Sequence, residues 1–231
     1  LINKRAEHIP LQHITGIVNF YGREYKVNAN VLIPRQDTEI LVEEVMKLTN
    51  SESRVLDMCT GSGCIIVSLA ASGHTSENGA VAIDISDEAL KVADYNKKYN
   101  NADYIKLIKS DMFSSSECEQ YKNEDNRFDV IVSNPPYIPT KDIDELSEEV
   151  RLHDPMLALD GDTDGLKFYK AITKQSVNYL KENGYLCYEI GYNQAEDVRN
   201  IMEQCGYSGI KVIKDLAGLD RVVIGRLNNI N

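Results

Sequence analysis

Short apolar runs interleaved with stretches of helical spacing constrain this 231-residue chain more than any other feature. The runs fall at 55–58, 81–85, 105–108, 130–132 and 185–190, and the helical patterns at 64–71, 87–99, 165–182 and 194–205. Strands alternating with helices imply βαβ units around a mainly parallel sheet. A final pair of runs, 210–214 and 221–226, is joined by only 215–220, too short for a crossover helix, so it returns antiparallel. The expectation is an α/β fold with seven strands, the last antiparallel.

Ahead of that sheet, 17–27 (IVNFYGREYKV) sets aromatic and β-branched residues around Gly22, which predicts a small β-hairpin. Asp37 or Thr38 is expected to N-cap a first core helix carrying Ile40, Leu41, Val45 and Leu48 at helical spacing. The polar stretch 114–126 reads as a surface connection. Segment 138–164 is long, acidic and partly helical around 143–150, and loops of that length in α/β domains are more often functional than idle.

Composition excludes several classes. With 42% apolar and 26% charged residues the chain suits a folded soluble domain, and no apolar run nears the ~18 residues that span a bilayer. Lys and Arg number 25 against 36 Asp and Glu, a formal charge of −11, which repels a bare phosphate backbone. Direct nucleic-acid binding is therefore not expected. Five scattered cysteines and four dispersed histidines have neither disulfide nor zinc spacing, so a reducing, cytoplasmic setting and no metal are expected. The chain opens at Leu1 without a Met or a signal peptide, as a fragment of a longer protein would.

The first chemical signal is V-L-D-M-C-T-G-S-G, residues 55–63, a strand entering a small-residue turn that opens a helix. Gly61 and Gly63 lack a Cβ, so a cofactor can approach the backbone, and the helix from Cys64 directs free N–H groups toward it. Asp84 ends the next strand 23 residues after Gly61, where a carboxylate can accept from a ribose diol. It could instead cap the following helix, although Ser86 or Asp87 can fill that role. The layout also suits a nicotinamide dinucleotide, but the usual third glycine is absent. Asp111, followed by Met112 and Phe113, closes the third strand, where a carboxylate can accept from an adenine amine under apolar cover.

Asn134-Pro135-Pro136-Tyr137 follows the strand 129–133 and is the most specific signal. A non-nucleophilic NH₂ group has to be gripped at both hydrogens and held flat. The Asn134 side-chain oxygen and the Pro135 carbonyl can accept those hydrogens, the prolines fix the carbonyl's direction, and Tyr137 can stack on the planar group. By contrast, D-G-D-T-D-G at 160–165 only imitates a calcium loop. Its twelfth position is Ala171, where a bidentate Glu is needed, and an acidic turn capping a helix from Leu166 is the better reading.

With these residues the sequence closely resembles the protein release factor glutamine methyltransferases, the PrmC or HemK family, over nearly its whole length. The likeness lies in V-L-I-P-R at 31–35, T-E-I-L-V-E at 38–43, the turn at 57–63 and D-I-S at 84–86. It continues in S-N-P-P-Y-I at 133–138, D-G-L at 164–166, Y-E-I-G at 188–191 and D-L-A-G-L-D-R at 215–221. The resemblance implies a Rossmann-like, seven-stranded class I methyltransferase fold with S-adenosylmethionine as methyl donor. The substrate it implies is the glutamine in the Gly-Gly-Gln loop of a peptide chain release factor. Its cofactor-binding set maps onto Asp57, Cys59, Thr60, Gly61, Ser62 and Gly63, then Asp84, Ile85, Asp111, Met112 and Asn134. The catalytic set maps onto Asn134, Pro135, Pro136 and Tyr137. Residues 1–30 would hold the end of an N-terminal helical domain plus the hairpin, and 31–231 the catalytic domain.

Three positions depart from the family pattern. Cys59 replaces a usual glycine, which requires a negative φ or a side chain facing away from the cofactor. Gln36-Asp37 replaces Pro-Glu, and His153-Asp154-Pro155 replaces a Glu-Pro pattern. The rival reading is an N6-adenine methyltransferase on DNA or RNA, which uses the same four-residue grip on a flipped base. The acidic charge and the lack of a basic recognition domain stand against it. A non-catalytic cofactor-binding scaffold is a third possibility, opposed by the intact Asn-Pro-Pro-Tyr.

Overall fold

The computed structural model describes residues 5–228. A short helix α1 (Leu11–Thr15) leads into an antiparallel hairpin, β1 (Ile17–Phe20) and β2 (Arg23–Lys26), and then α2 (Thr38–Met46). The main body follows as β3 (Val55–Met58), α3 (Cys64–Ala71), β4 (Ala80–Asp84), α4 (Asp87–Tyr99), β5 (Lys106–Lys109) and β6 (Phe128–Ser133). A segment holding α5 (Glu148–His153) and α6 (Met156–Leu159) precedes α7 (Lys167–Ser176), β7 (Leu180–Glu189) and α8 (Ala195–Gln204). The hairpin-like pair β8 (Tyr207–Lys214) and β9 (Asp220–Leu227) comes last.

Seven strands form one sheet in the order β5-β4-β3-β6-β7-β9-β8. Strands β3 to β7 pair in parallel, while β9 runs antiparallel to both β7 and β8, as the short 215–220 connection demands. Because side chains alternate along a strand, each face builds its own core. Leu56, Ile131, Leu186 and Val223 pack with Tyr169 and Ile172 of α7 and Val198 and Met202 of α8. Val55, Val130, Val132 and Cys187 pack on the opposite face with Leu41 and Val45 of α2 and Ile66 and Leu69 of α3.

The hairpin is bonded into this body. Phe20 and Tyr25 are buried in the second core, and the Tyr25 hydroxyl shares a hydrogen bond of 2.7 Å with Ser68 of α3. Fully buried Asn96 of α4 donates to the carbonyls of Lys26 and Ser62 and accepts from the Lys26 N–H. One side chain thus ties the hairpin to the turn after β3.

Several boundaries differ from the sequence reading, each for a physical reason. Asp37 has helical φ and ψ and makes no side-chain cap; its carboxylate instead lies 3.4 Å from Arg221, and the Thr38 hydroxyl makes no cap either. The helix expected over 165–182 stops at Ser176, because β7 already begins at Leu180 and absorbs 181–184 in a register shift against β6. Asn183 takes a φ of +64° there. The stretch 114–126 is not only surface: its 3₁₀ turns bury Cys118 and Tyr121 against the first core. Within 138–164, helix α5 starts at Glu148, with a 3₁₀ turn at Thr140–Glu145 ahead of it. Residues 1–4, the start of the expected helical-domain remnant, lie outside the described residues. Among the described residues no helix is long and apolar enough to cross a membrane.

Candidate active site

Strand β3 is flanked by β4 on one side and β6 on the other, so the strand order reverses beside it. In a doubly wound sheet a crevice opens at the carboxyl ends of the strands at such a point. A cavity of about 300 Å³ occupies it. Its wall takes Cys59, Thr60, Gly61 and Ser62 from the loop after β3, and Asp84, Ile85 and Ser86 from the end of β4. Asp111 and Met112 after β5, and Asn134 and Pro136 after β6, complete the strand-end side. Ile85 is 44% exposed, a large apolar side chain presented to this opening.

The turn after β3 is held by its own polar groups. The Thr60 hydroxyl donates to Asp57 Oδ2 at 2.6 Å, the Thr60 N–H to the Ile83 carbonyl, and the Gly61 N–H to Asp84 Oδ2 at 2.8 Å. Asp84 Oδ1 accepts from the Ser86 N–H, while the Ser86 side chain caps α4 by accepting from Ala89. Asp84 is therefore not the helix cap. Gly63 has a φ of +80°, and a Cβ there would stand 3.2 Å from the Ala93 side chain, so this glycine lets α3 pack on α4. Cys59 does not take the negative φ that its side chain would prefer. It sits at +62°, a left-handed conformation that costs a non-glycine residue about 1–2 kcal/mol. Its thiol is pushed up by burial and by the Asp84 and Asp57 carboxylates, against the opposing effect of the nearby Ser133. Met112 repeats the device at +48°.

Asp57, Gly63, Pro135 and Tyr137 are not on the cavity wall. Asp57 is fully buried beneath the turn and supports it through Thr60. Gly63 serves the packing of α3 on α4. Pro135 is buried, and the Tyr137 ring packs against the first core, where burial pushes its phenol up to about 12. The aromatic residue on the wall is Phe168 instead. The Tyr137 carbonyl accepts from Gln194 Nε2 at 2.9 Å, and the Ile138 N–H and carbonyl bond to Leu159 and Gly161. Gly165, at a φ of +73°, passes so close that a Cβ would lie 2.4 Å from the Tyr137 carbonyl oxygen. The D-G-D-T-D-G turn thus braces the Asn-Pro-Pro-Tyr loop. It also feeds α7, since Asp164 accepts from the Leu166 N–H.

Sequence reasoning assigned no cavity role to Val31, Leu32, Pro34, Arg35, Thr38, Leu157, Ala158 or Lys167, which also line it. The signals were present: V-L-I-P-R as a motif, and 138–164 as an overlong loop. Arg35 pairs with the buried Asp154 carboxylate at 2.7 Å, joining these two segments across the mouth. The same segment is held from outside by Arg5 on Glu149 and His8 on Glu148.

Two fully buried carboxyls stand behind the wall. Burial raises Asp57 to about 7, opposed by the Thr60 hydroxyl and the Ile66 N–H, and its Oδ1 has no partner. Burial likewise raises Glu189, at the end of β7, to about 7, opposed by Thr38, Arg221 and Asn134. Asp84 is raised as well, by burial against three backbone N–H bonds.

Comparison with known proteins adds the family. The methyltransferase small domain matches residues 35–151. The chain is 41% identical over 228 residues to the release factor glutamine methyltransferase of Thermodesulfovibrio yellowstonii, covering 97% of this chain and 78% of that one. It is 40% identical to the enzyme of the same name from Fusobacterium nucleatum subsp. nucleatum, covering 98% of this chain. The chain spans 62% of the length of that second relative. A solved methyltransferase from Pyrococcus furiosus superposes with a TM-score of 0.62 at 16% identity, covering 99% of this chain and 100% of that one, which supports the fold alone.

The raised carboxyls have a consequence for stability. In the unfolded chain Asp and Glu titrate near 4, so between about 4.5 and 7 the folded state binds more protons and stability falls as pH rises. Urea midpoints are expected to drop steadily from pH 5 to pH 8, with Asp57→Asn flattening the slope. A midpoint that stays constant from pH 5.5 to 7.5 would show that neither carboxyl is raised.

Proposed function

The chain belongs to the release factor glutamine methyltransferases, and from that premise we propose that it methylates the side-chain amide nitrogen of a glutamine in a peptide chain release factor. The observation that carries the reading is a single cavity whose wall holds both the glycine turn with Asp84 and the Asn134 that starts the Asn-Pro-Pro-Tyr loop. Donor site and acceptor grip adjoin each other.

The residues present fit S-adenosylmethionine. Asp84 keeps acceptor capacity on its carboxylate for a ribose diol, Ile85 and Met112 offer apolar cover, and Asp111 can accept from an adenine amine. A Cβ at Gly61 would meet nothing within 4 Å, and the backbone there stays open to a ligand. When bound, this donor supplies a methyl group already activated on a sulfonium centre, so the protein's task is alignment.

Asn134 and the Pro135 carbonyl accept the two hydrogens of the glutamine NH₂ and hold the nitrogen in line with the transferring carbon. Holding a weak nucleophile in that way contributes on the order of 7 to 11 kcal/mol. Both hydrogen bonds strengthen as positive charge develops on nitrogen, which stabilises the transition state more than the ground state. No general base is needed, because the methylated amide nitrogen is a strong acid and loses its proton to water. Residues 31–231 act as the catalytic domain, and the enzyme works on a cytoplasmic protein substrate.

Asp84→Ala is expected to weaken S-adenosylmethionine binding by about 1.5 to 3 kcal/mol in calorimetric titration, the range for hydrogen bonds to a charged group. Unchanged affinity in a folded variant would remove Asp84 from the donor site. Asn134→Ala is expected to lower kcat by roughly 10²-fold with donor affinity little altered. Near-normal turnover at saturating substrate would refute the grip.

The substrate class is tested by labelled methyl transfer to intact release factor, to a factor with its Gly-Gly-Gln glutamine changed to glutamate, and to DNA and tRNA. Only the intact factor is expected to take label, since a carboxylate has no NH₂ to donate and brings a charge that must be desolvated. Adenine methylation at a rate equal to or above that on release factor would reverse the assignment.

A further inference from the structure

Asn134 can present either end of its side-chain amide to the cavity, because the oxygen and NH₂ exchange places on a half-turn. Only the oxygen can accept from an acceptor NH₂. Something behind Asn134 has to choose. In the parallel pairing of β6 with β7, Ser133 stands opposite Tyr188, so the next residues along, Asn134 and Glu189, lie side by side. Glu189 is 2% exposed, Asn134 and Thr38 are the neighbouring polar side chains that hold its pKa down, and both Glu189 Oε2 and the Thr38 hydroxyl have no hydrogen-bond partner among the described residues. Asn134 and Thr38 line the cavity, whereas Glu189 is set behind them.

We infer that Glu189 is a positioning residue: its carboxylate accepts from the Asn134 NH₂ and so turns the Asn134 oxygen toward the acceptor nitrogen. A carboxylate accepts only, and this selects one amide orientation; a protonated carboxyl can donate and admits the other. The inference rests on the proposed grip for its catalytic meaning, and on the strand register for its geometry.

The surroundings allow Glu189 to change state near neutrality. Burial raises it to about 7, and the groups facing it come from every packed element. They are Arg221 on β9, Asp37 and Thr38 at the start of α2, Tyr137 after β6, Tyr169 on α7 and Cys64 on α3. The Tyr169 hydroxyl is committed to the Glu189 backbone carbonyl at 2.9 Å, and Arg221 to Asp215 at 2.9 Å and Asp37 at 3.4 Å. Among these, Asn134 and Thr38 are left as partners for the carboxylate. The orientation of Asn134, and with it turnover, then improves as pH rises through about 7.

The test follows the Asn134 side-chain NH₂ resonances by ¹⁵N-edited NMR from pH 5.5 to 8.5 in the ligand-free protein, identified by their loss in Asn134→Ala. They are expected to shift with a midpoint near 7 in the wild type and to stay still in Glu189→Gln. In parallel, kcat for labelled methyl transfer to release factor is expected to rise through the same midpoint. In Glu189→Gln it should be flat with pH and about tenfold lower, the scale for a group supporting a reactive side chain, with the KM for S-adenosylmethionine unchanged. A wild-type Asn134 amide that does not titrate overturns the inference whatever the acceptor is, and whether or not the variant folds. Equal kcat and equal pH profiles in wild type and Glu189→Gln overturn it too. If the amide titrates as expected but release factor takes no label, the positioning role stands and the assignment of the acceptor falls.

Discussion

The pairing of β3 with β6 is the constraint from which the site descends. Met58 stands opposite Ser133 in parallel register, and the Ser133 hydroxyl donates to the Met58 carbonyl at 2.6 Å. That contact brings two chain exits to one level, the glycine turn at Cys59 and the proline loop at Asn134. With β4 and β5 lying to one side and β6 and β7 to the other, the connections leave on different faces and the crevice opens between them. A one-residue slip would send Asp57 and the turn after it to the wrong face of the sheet. Ser133 sits in the interior with no exposure, so its hydroxyl has to be bonded there, and the Met58 carbonyl satisfies it only in this register.

The strand ends around the crevice hold features that do nothing for stability alone. Cys59 and Met112 adopt left-handed backbone, and Asp57, Asp84 and Glu189 are carboxyls raised by burial. Strain and buried charge of this kind persist where the surrounding structure over-determines them, and they concentrate where a ligand has to be met. Here the compensation is visible. Both flanking cores are continuous, and the α3–α4 contact at Gly63 and the Asn96 hub fix the turn from below.

How much of this was legible in the sequence depended on whether the determining interaction is local. Strand 55–58 and helices 64–71 and 87–99 coincide with the reading because apolar period, caps and glycine punctuation all act within a few residues. The helix expected over 165–182 overran because polar 181–183 continue a helical pattern. What ends it is distant: Lys181 reaches Asp129 at 2.9 Å, and Gly184 passes close over the Asp129 carbonyl. The same distinction sorts the site. Gly61, Asp84, Asp111 and Asn134 were read from strand-end positions, and the structure brings all four to one cavity. Asp57 and Tyr137, adjacent to them in sequence, point elsewhere, since strand alternation and an aromatic's pull toward the core decide those directions. Thr38 was read only as a helix cap and as the start of the T-E-I-L-V-E stretch, because its place on the wall depends on packing α2 against β7.

The proline loop shows why such a grip needs more chain than its motif. Two prolines restrict φ at 135 and 136 but leave open where the loop as a whole is anchored. That is set by three remote contacts: Gln194 on the Tyr137 carbonyl, the Ile138–Asp160 bridge, and Gly165 passing where any side chain would collide. Gln194 also accepts from the Gly191 N–H, so one side chain locks the exit of β7 to the exit of β6. Glu189 sits two residues before Gly191 on that locked exit and beside Asn134, which makes the orientation of the Asn134 amide a property of the joined strand ends. An Asn-Pro-Pro-Tyr loop placed on another scaffold would keep its φ angles and lose that direction.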